Sequence, residues 1–256
     1  MITDTHAHLF YSEINSDIDN ILLRAKDSGI ERIIVPAVDL ETSRTVIEIS
    51  GKHEMIYCAI GIHPGDVNKS ELKDLEMIEK LLDHEKVVAI GETGLDYYWD
   101  KSNIERQKEF FNKQIELAKA YKLPVIIHTR NSVDDAIEMI SSSHDENLSG
   151  QFHCFSGNDE QLNRILLLDK FYLSYCGNIT YKNFKDTGVI KNTPLDRMLS
   201  ETDSPFLPPV PYRGKKNEPG YLLKTLEKIS EIKETSIDQI LPVIDSGVRK
   251  LFFRDK

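Results

Sequence analysis

The sequence has few cysteines and no apolar run long enough to cross a membrane. Its 256 residues include three cysteines, Cys58, Cys154 and Cys176, which show no CxxC spacing. An odd number of cysteines without such spacing is typical of a protein of the reduced cytoplasm. No stretch approaches the roughly 20 apolar residues of a membrane helix, and the N-terminus lacks the basic and apolar segments of a secretion signal. We therefore expect a cytoplasmic protein without membrane contact, and nothing in the sequence indicates an obligate protein partner.

Positive charge is also in short supply. The chain carries 32 lysines and arginines against 42 aspartates and glutamates, which gives a formal net charge of -10. Broad binding to nucleic acid draws on several contacts between basic side chains and phosphates, so the sequence argues against a broad electrostatic grip on a duplex. It leaves room for a narrow pocket that takes one strand end and neutralises its phosphate with metal.

The chain shows no sign of a domain boundary. It contains no low-complexity stretch, no recognisable repeat and no Gly/Ser linker, so we predict a single domain over residues 1–256. That length suits one α/β barrel, which typically takes about 250 residues. A hydrophobic share of 40% is enough for one large core.

Short β-branched runs alternate with amphipathic helices along the sequence. We predict eight strands, near residues 2–5, 32–36, 55–60, 87–90, 124–127, 151–153, 171–174 and 197–200, and two further helices between Gly220 and Phe253. The alternation implies an α/β fold with a parallel sheet. Eight such units close most simply into a single (β/α)8 barrel of the TIM type, here with an extra C-terminal helix. A doubly wound open sheet is the alternative, but Thr5-His6-Ala7-His8 stands where its glycine-rich phosphate turn usually lies.

Acidic and histidine residues stand where five of the apolar runs end. The active site of such a barrel lies at the carboxyl ends of the strands, so side chains at these junctions converge on one pole. The junction residues with metal-ligand side chains are His6, His8, Glu92, His128, His153 and Asp203. A single strand-end histidine is more often packed or hydrogen-bonded, but the set taken together predicts a metal centre.

The spacing gives most of these residues a place in the predicted centre. His6 and His8 are two residues apart in a strand, so they project to the same side. Glu92 follows the fourth strand and can bridge two ions because its carboxylate has two oxygens. His128 and His153, which follow the fifth and sixth strands, could hold the second ion.

Asp203 follows the eighth strand, which lies beside the first once the barrel closes. It could bind metal, accept the proton of an attacking water, or do both in turn, and Glu201 could support the ligands from behind. Two metals in such a site, typically ~3.5–4 Å apart, clamp the attacking and leaving oxygens of a displacement and activate water near neutral pH. We predict two divalent metal ions, Mg, Mn or Zn, among which these ligand types do not choose.

Two other residues near the same pole need an assignment. His63, in Gly61-Ile62-His63-Pro64, follows the third strand and either contacts substrate or has a structural role. It joins Glu92 and Asp203 as a catalytic candidate. Cys154 directly follows His153, and strand alternation is expected to turn it away from the site and bury it.

Six motifs are spread over almost the whole chain. They are Asp4-Thr5-His6-Ala7-His8-Leu9, Gly61-Ile62-His63-Pro64, Ile90-Gly91-Glu92-Thr93-Gly94-Leu95-Asp96-Tyr97-Tyr98, Pro124-Val125-Ile126-Ile127-His128-Thr129-Arg130, His153-Cys154-Phe155-Ser156-Gly157 and Glu201-Thr202-Asp203-Ser204-Pro205. In this order and combination they resemble the TatD family of metal-dependent hydrolases, which belongs to the amidohydrolase-like barrels. The resemblance implies a two-metal site with the same six ligands, and a deoxyribonuclease activity that is 3′-to-5′ exonucleolytic on single strands in several members.

A basic loop after the Asp203 strand also resembles the family. The loop, residues 211–219, carries Arg213, Lys215 and Lys216, which could balance a scissile phosphate. A merely solvated loop is the alternative. The substrate-binding candidates are Tyr212, Arg213, Lys215 and Asn217.

Aromatic residues also stand close to the predicted site. Tyr97, Tyr98 and Trp99 lie just past Glu92, where they either stack an unpaired base or pack under the loop. Tyr175 stands where the family more often has a small residue, and we expect its ring to narrow the site.

Three functions follow from this reading. The leading hypothesis is a metal-dependent nuclease, a 3′-to-5′ exonuclease that cleaves phosphodiester bonds of single-stranded or frayed DNA ends with a water activated by two metals. The alternative is an amidohydrolase, esterase or deacylase with a small substrate, because the same ligands can activate water toward a carbonyl carbon. A non-catalytic binding protein on the same barrel is the third, and the intact ligand set argues against it.

Overall fold

The computed structural model of the protein describes residues 1–99 and 101–253, in which eight parallel strands form one sheet in sequential order. The strands are β1 Ile2–Asp4, β2 Ile30–Pro36, β3 Ile56–Ile60, β4 Val87–Asp96, β5 Val125–Arg130, β6 Gly150–Phe152, β7 Phe171–Tyr175 and β8 Met198–Ser200. Each lies within a few residues of a predicted strand, except that β4 and β5 continue further than the sequence indicated.

The sheet closes on itself because the chain after β8 returns to the chain after β1. The amide of Thr5 donates to the carbonyl of Ser200 at 3.2 Å, and the amide of Asp203 donates to the carbonyl of His6 at 2.8 Å. Further along the same two segments, the amide of His8 donates to the carbonyl of Ser204 at 2.7 Å. These bonds confirm the predicted barrel over the open sheet.

Helices alternate with the strands and cover the outside of the barrel. They are α1 Ser12–Asn15, α2 Ile18–Asp27, α3 Leu40–Lys52, α4 Leu72–Glu79, α5 Ile104–Tyr121, α6 Val133–Ser143, α7 Asp159–Leu166, α8 Thr187–Asn192, α9 Leu222–Lys233 and α10 Ile237–Phe252, with three short 3₁₀ turns at Gly177–Thr180, Leu195–Arg197 and Pro219–Tyr221. The last two α-helices are the pair predicted at the end of the chain. None of the helices in the described part of the chain combines the length and apolar character needed to cross a bilayer.

The strands are apolar on both sides because helices pack outside them while the barrel interior is filled. Ile33, Ile34 and Val35 in β2 are fully buried, as are the three apolar residues that open β5. Continuous apolar runs of this kind are characteristic of parallel sheets covered on both faces. Polar side chains therefore become concentrated where the runs stop, at the carboxyl pole.

The register of β4 shifts at Gly91 and Glu92, before the strand resumes its pairing with β5. Ile90 is paired with Val125, and the next paired residue is Thr93, which faces Ile127. The amide of Glu92 donates instead to the carbonyl of Ala37, just past β2, at 2.9 Å. A shift of this kind re-aims a side chain, and here it leaves Glu92 buried at the pole.

Gly94 allows β4 and β5 to come close at the height of the site. Its φ is 128°, a conformation that side chains rarely adopt. A Cβ at this position would overlap the carbonyl oxygen of His128 and lie 3.0 Å from the His128 nitrogen. The glycine therefore sets the backbone position of His128.

Replacing Gly94 with alanine should destabilise the fold. The strained φ and the overlap with the His128 backbone should lower the free energy of unfolding by about 2–4 kcal/mol, measured by urea denaturation. Gly51→Ala in α3 is the matched control because nothing lies within 4 Å of its added Cβ. It should leave stability unchanged or raise it by up to about 1 kcal/mol. Equal midpoints for Gly94→Ala and the wild type would show that the close approach is not limiting.

Candidate metal centre

The six strand-end residues singled out in the sequence meet at the carboxyl pole of the barrel. His6 and His8 lie just past β1, Glu92 lies within β4, and the remaining three lie in β5, past β6 and past β8. The ring of His6 is fully buried and Glu92 is 2% exposed. The barrel thus brings together side chains that are up to 197 positions apart in sequence.

Glu92 lies between two groups of imidazoles, with one carboxylate oxygen toward each. Its Oε2 is 3.3 Å from Nε2 of His6 and 3.4 Å from Nε2 of His8. Its Oε1 is 2.8 Å from Nδ1 of His128 and 3.0 Å from Nε2 of His153. The carboxylate therefore faces two adjacent sites rather than one.

Asp203 completes the first of these two groups. Its Oδ1 is 3.8 Å from Nε2 of His6 and 3.5 Å from Nε2 of His8. The two imidazole nitrogens are themselves 3.1 Å apart. Two nitrogens and two carboxylate oxygens thus point at one small volume.

The electrostatics of the cluster keep both carboxylates ionised. Burial alone would raise the pKa of Glu92, but the neighbouring imidazoles, chiefly His153 and His63, and the hydrogen bond with His128 hold that pKa well below its usual value. Burial likewise opposes ionisation of Asp203, yet its hydrogen bond with His8 lowers the pKa. Two ionised carboxylates next to several imidazoles are a donor set suited to cations.

A second layer of acidic side chains lies behind two of the imidazoles. Oδ2 of Asp96 is 3.1 Å from Nε2 of His128, and Oε1 of Glu201 is 3.3 Å from Nδ1 of His153. Carboxylates behind metal-binding histidines fix the ring orientation and raise the basicity of the ring. The sequence suggested this role for Glu201.

Asp96 was missed as a site residue, although its motif was noted. Burial opposes its ionisation, but the hydrogen bonds with His128 and from the amide of Tyr98 lower its pKa to about 2. Gln107 in α5 clamps its backbone, accepting from the Asp96 amide at 2.8 Å and donating to its carbonyl at 3.0 Å. Had β4 been predicted past residue 90, the period of two would have placed Asp96 on the side of Glu92.

The residues fit a metal centre on chemical grounds. Imidazole nitrogens of His6 and His8 converge with a carboxylate oxygen of Asp203, and those of His63 and His128 converge with Glu92. Imidazole and carboxylate together suit divalent ions such as Zn, Mn and Mg. The cluster is therefore able to hold metal.

His63 borders the second group rather than completing it. Its Nε2 is 3.6 Å from Oε1 of Glu92, and its Nδ1 accepts a hydrogen bond from the amide of Gly65 at 2.9 Å. Loss of water around the ring lowers the pKa of His63 to about 3. A neutral ring that accepts at Nδ1 carries its proton on Nε2, so His63 presents a donor to the cavity.

The centre opens into a cavity of about 620 Å³. Its wall includes Asp203, His63 and the exposed ring of Trp99, and Arg130 supplies a guanidinium. That guanidinium lies over the ring of Tyr98, 3.8 Å from its centre, and 5.2 Å from the ring of Trp99. Among the described lining residues Arg130 is the one lysine or arginine. It was not among the site residues predicted from the sequence.

The basic loop lies differently from what we predicted. Tyr212, Arg213 and Lys215 are not among the described residues that line the cavity. The ring of Tyr212 stacks on Tyr221 at 3.8 Å, and the guanidinium of Arg213 lies 4.2 Å from the centre of the Tyr181 ring. The loop therefore lies beside the cavity.

Asn217 is a correction to the predicted substrate contacts. Its side chain is fully buried, and its amide nitrogen donates to the carbonyls of Thr202 and Phe206 at 2.8 and 2.7 Å. Its oxygen accepts from the amide of Glu218. The residue therefore holds the loop after β8 in place and is not available to a substrate.

Three other expectations near the site are settled by the structure. Tyr175 does not narrow the cavity, because its buried hydroxyl pairs with Thr193 at 2.7 Å, away from the centre. Cys154 was expected to turn away, but it lines the cavity, since its φ of 44° breaks the strand alternation. Tyr97 packs against α6 through a hydrogen bond to Asp135, whereas Tyr98 and Trp99 are exposed.

Comparison with known proteins agrees with this architecture over the full chain. The family model described as TatD related DNase matches residues 3–253. YabD of Bacillus subtilis, named an uncharacterized metal-dependent hydrolase, is 43% identical over 253 residues, covering 98% of this chain and 99% of the relative. YcfH of Escherichia coli K12, named likewise, is 31% identical and covers 99% of this chain and 96% of the relative.

Solved structures show the same fold. The crystal structure of YjjV, a TatD homologue from Escherichia coli, has a TM-score of 0.93 at 32% identity and covers 98% of this chain and 97% of its own. A TatD family hydrolase from Entamoeba histolytica has a TM-score of 0.87 at 25% identity, with 98% of each chain covered. The protein belongs to the TatD family of metal-dependent hydrolases.

Proposed function

We propose that this hydrolase is a two-metal phosphodiesterase that trims single-stranded or frayed DNA from its 3′ end. The observation that carries the proposal is the position of Glu92, whose two oxygens face separate groups of imidazoles. A carboxylate that faces two groups of ligands is able to bridge two metal ions, and two adjacent ions can act together on a phosphodiester. The family description, TatD related DNase, supports DNA as the substrate.

The proposal assigns a role to each side chain of the centre. His6, His8 and Asp203 would hold one ion, His128 and His153 the other, and Glu92 both. Two divalent ions, when bound, supply Lewis acidity that polarises a phosphate and activates water. Asp203, at the cavity wall, would accept the proton of the attacking water. The Nε2–H of His63 would donate to a phosphate oxygen.

The cavity wall supports a phosphodiester substrate with an unpaired base. Arg130 offers a planar, permanently charged group that pairs with phosphate oxygens in a bidentate manner. Trp99 is 74% exposed and Tyr98 is 54% exposed beside it, and exposed rings of this kind stack bases without regard to sequence. A single cation next to two aromatic rings suits a strand end better than a duplex.

Digestion of single-stranded DNA labelled at its 5′ end, with Mg or Mn, tests the proposal directly. A ladder that shortens from the 3′ end supports a 3′-to-5′ exonuclease. Under this proposal the protein meets its substrate in the cytoplasm, and its three cysteines, which are all free thiols, are consistent with that location. No cleavage by protein that holds two ions would instead favour the second candidate below.

The second candidate is an amidohydrolase, esterase or deacylase with a small substrate. The position of the basic loop favours it, because Arg213 and Lys215 stand outside the cavity and leave one guanidinium inside. That guanidinium would also pair with a substrate carboxylate. Turnover of small amides or esters, with no cleavage of DNA, would establish this candidate.

Removing the bridging carboxylate should stop turnover without unfolding the protein. Glu92→Gln keeps the shape of the side chain but loses one ligand oxygen and the charge. We expect kcat to fall by about 10³-fold or more, which corresponds to several kcal/mol of lost metal-ion stabilisation. Glu227→Gln, on the outer surface of α9, is the matched control. Turnover by Glu92→Gln at the wild-type rate, with two ions bound, would contradict the bridging role.

Asp96→Asn should weaken metal binding while it leaves the ligand set intact. The amide can still contact His128 but no longer raises the basicity of its ring. We expect affinity for the ion at His128 and His153 to fall by about 10- to 100-fold, measured by calorimetric titration with Mn. Asp134→Asn, an exposed change at the start of α6, should leave affinity unchanged. Equal affinity in both variants would show that Asp96 does not position the histidine.

Arg130→Ala should raise KM for single-stranded DNA more than it lowers kcat. The lost charged hydrogen bonds correspond to about 1.5–3 kcal/mol, or about a 10- to 100-fold rise in KM. Arg213→Ala, beside the cavity, is the matched control and should change KM by less than about threefold. A larger rise in KM for Arg213→Ala than for Arg130→Ala would instead assign phosphate binding to the basic loop.

A further inference from the structure

Two cysteines that the metal centre does not use lie together beside the cavity, Cys154 in its wall and Cys176 behind that wall. Cys154 follows β6 and Cys176 follows β7, the adjacent strand. Their Sγ atoms are 2.6 Å apart, and both are free thiols. A disulfide joins two sulfurs at about 2.05 Å, and the two sulfurs of this pair are already in direct contact.

The two thiols differ in their access to solvent. Cys154 lines the cavity and is partly exposed, whereas Cys176 is fully buried behind it. The thiol of Cys176 is 3.3 Å from Oδ1 of Asn178. A small oxidant that enters the cavity therefore meets the sulfur of Cys154 first and finds Cys176 at its back.

Oxidation of Cys154 would take place next to the support of the metal centre. Its amide donates to Oε1 of Glu201 at 2.7 Å, and the same oxygen lies 3.3 Å from Nδ1 of His153. A sulfinate at Cys154 would add a negative charge and bulk against this contact. A disulfide adds neither and can be reduced again.

We propose that Cys154 and Cys176 form an oxidation site in which peroxide reacts with Cys154 and Cys176 resolves the product as a disulfide. In the first step the Cys154 thiol and hydrogen peroxide give a sulfenic acid and water. In the second, the Cys176 sulfur attacks the sulfenic sulfur, the S–O bond breaks and a second water leaves. Two thiols lose two electrons, and one peroxide gains them.

Cys58 supplies an internal comparison. It is fully buried in β3, and its Sγ contacts Oγ of Ser50 at 3.1 Å. Burial raises the pKa of this thiol to about 11, and burial raises the pKa of Cys176 as well. Position separates the two, because Cys176 contacts Cys154 whereas Cys58 contacts Ser50. Cys58 should therefore stay reduced under conditions that oxidise the pair.

Thiol counting on the folded protein tests the proposal without reference to turnover, so its failure is separate from failure of the phosphodiesterase. The full chain is treated with stoichiometric hydrogen peroxide, quenched, unfolded and titrated. We expect the thiol count to fall from three to one, the mass to fall by two hydrogens, and a peptide map to join Cys154 to Cys176. Dithiothreitol should restore three thiols. Three thiols after treatment, a pair that includes Cys58, or a link between two chains would overturn the proposal.

Single variants separate the attacking from the resolving thiol. Cys176→Ser should leave a sulfenic acid on Cys154 that dimedone traps, and excess peroxide should carry it to the sulfinic acid. Cys154→Ser should keep both remaining thiols through the same treatment, and this variant decides the matter if the buried Cys176→Ser does not fold. Cys58→Ser should form the disulfide as the wild type does. Oxidation of Cys176 in the Cys154→Ser protein would overturn the assigned order.

Discussion

The site depends on the seam where the barrel closes, and the carboxyl group of Asp4 spans that seam. Burial raises the pKa of this group to about 8. Oδ1 of Asp4, at the end of β1, accepts from the amide of His6 at 3.2 Å and from the amide of Thr202 at 3.0 Å. Its Oδ2 accepts from the Thr202 hydroxyl at 2.5 Å. These bonds tie the chain after β8 to the chain after β1. Asp203 reaches the first pair of histidines because of them.

Closing the barrel in this way gathers polar groups that would each be costly to bury alone. A buried charge is stable only when it is paired and hydrogen-bonded. Glu201 meets this condition through Gln151 and Ser174, each at 2.8 Å from its Oε2, and through the amide of Cys154. A buried polar network therefore lies directly behind the centre, within the apolar core of the barrel.

The fold and the convergence of the six candidate ligands could be predicted from the sequence because both follow from periodicity. The apolar runs predicted the strands. The histidines and carboxylates that end these runs predicted the pole at which His6 and Glu92 lie. Asp96 was missed because the fourth strand was predicted to end at residue 90, just before the register shift, whereas β4 continues to Asp96. The side of the cavity wall on which the basic loop runs could not be predicted, because charge in a sequence does not fix where a loop lies. The roles proposed for Arg130 and Cys176 could not be predicted, because they depend on contacts with residues that are distant in sequence.

The charge distribution accounts for how an acidic protein could handle a polyanion under the proposed function. With a net charge of -10, the surface as a whole repels a phosphate backbone, and that repulsion grows with the length of backbone brought near. Attraction is confined to the cavity, where Arg130 and the imidazoles of the centre lie. A terminal phosphodiester enters this small region while the rest of the strand stays outside. The same asymmetry discriminates against a duplex, which brings twice the charge per unit length and offers no unpaired base to the exposed ring of Trp99.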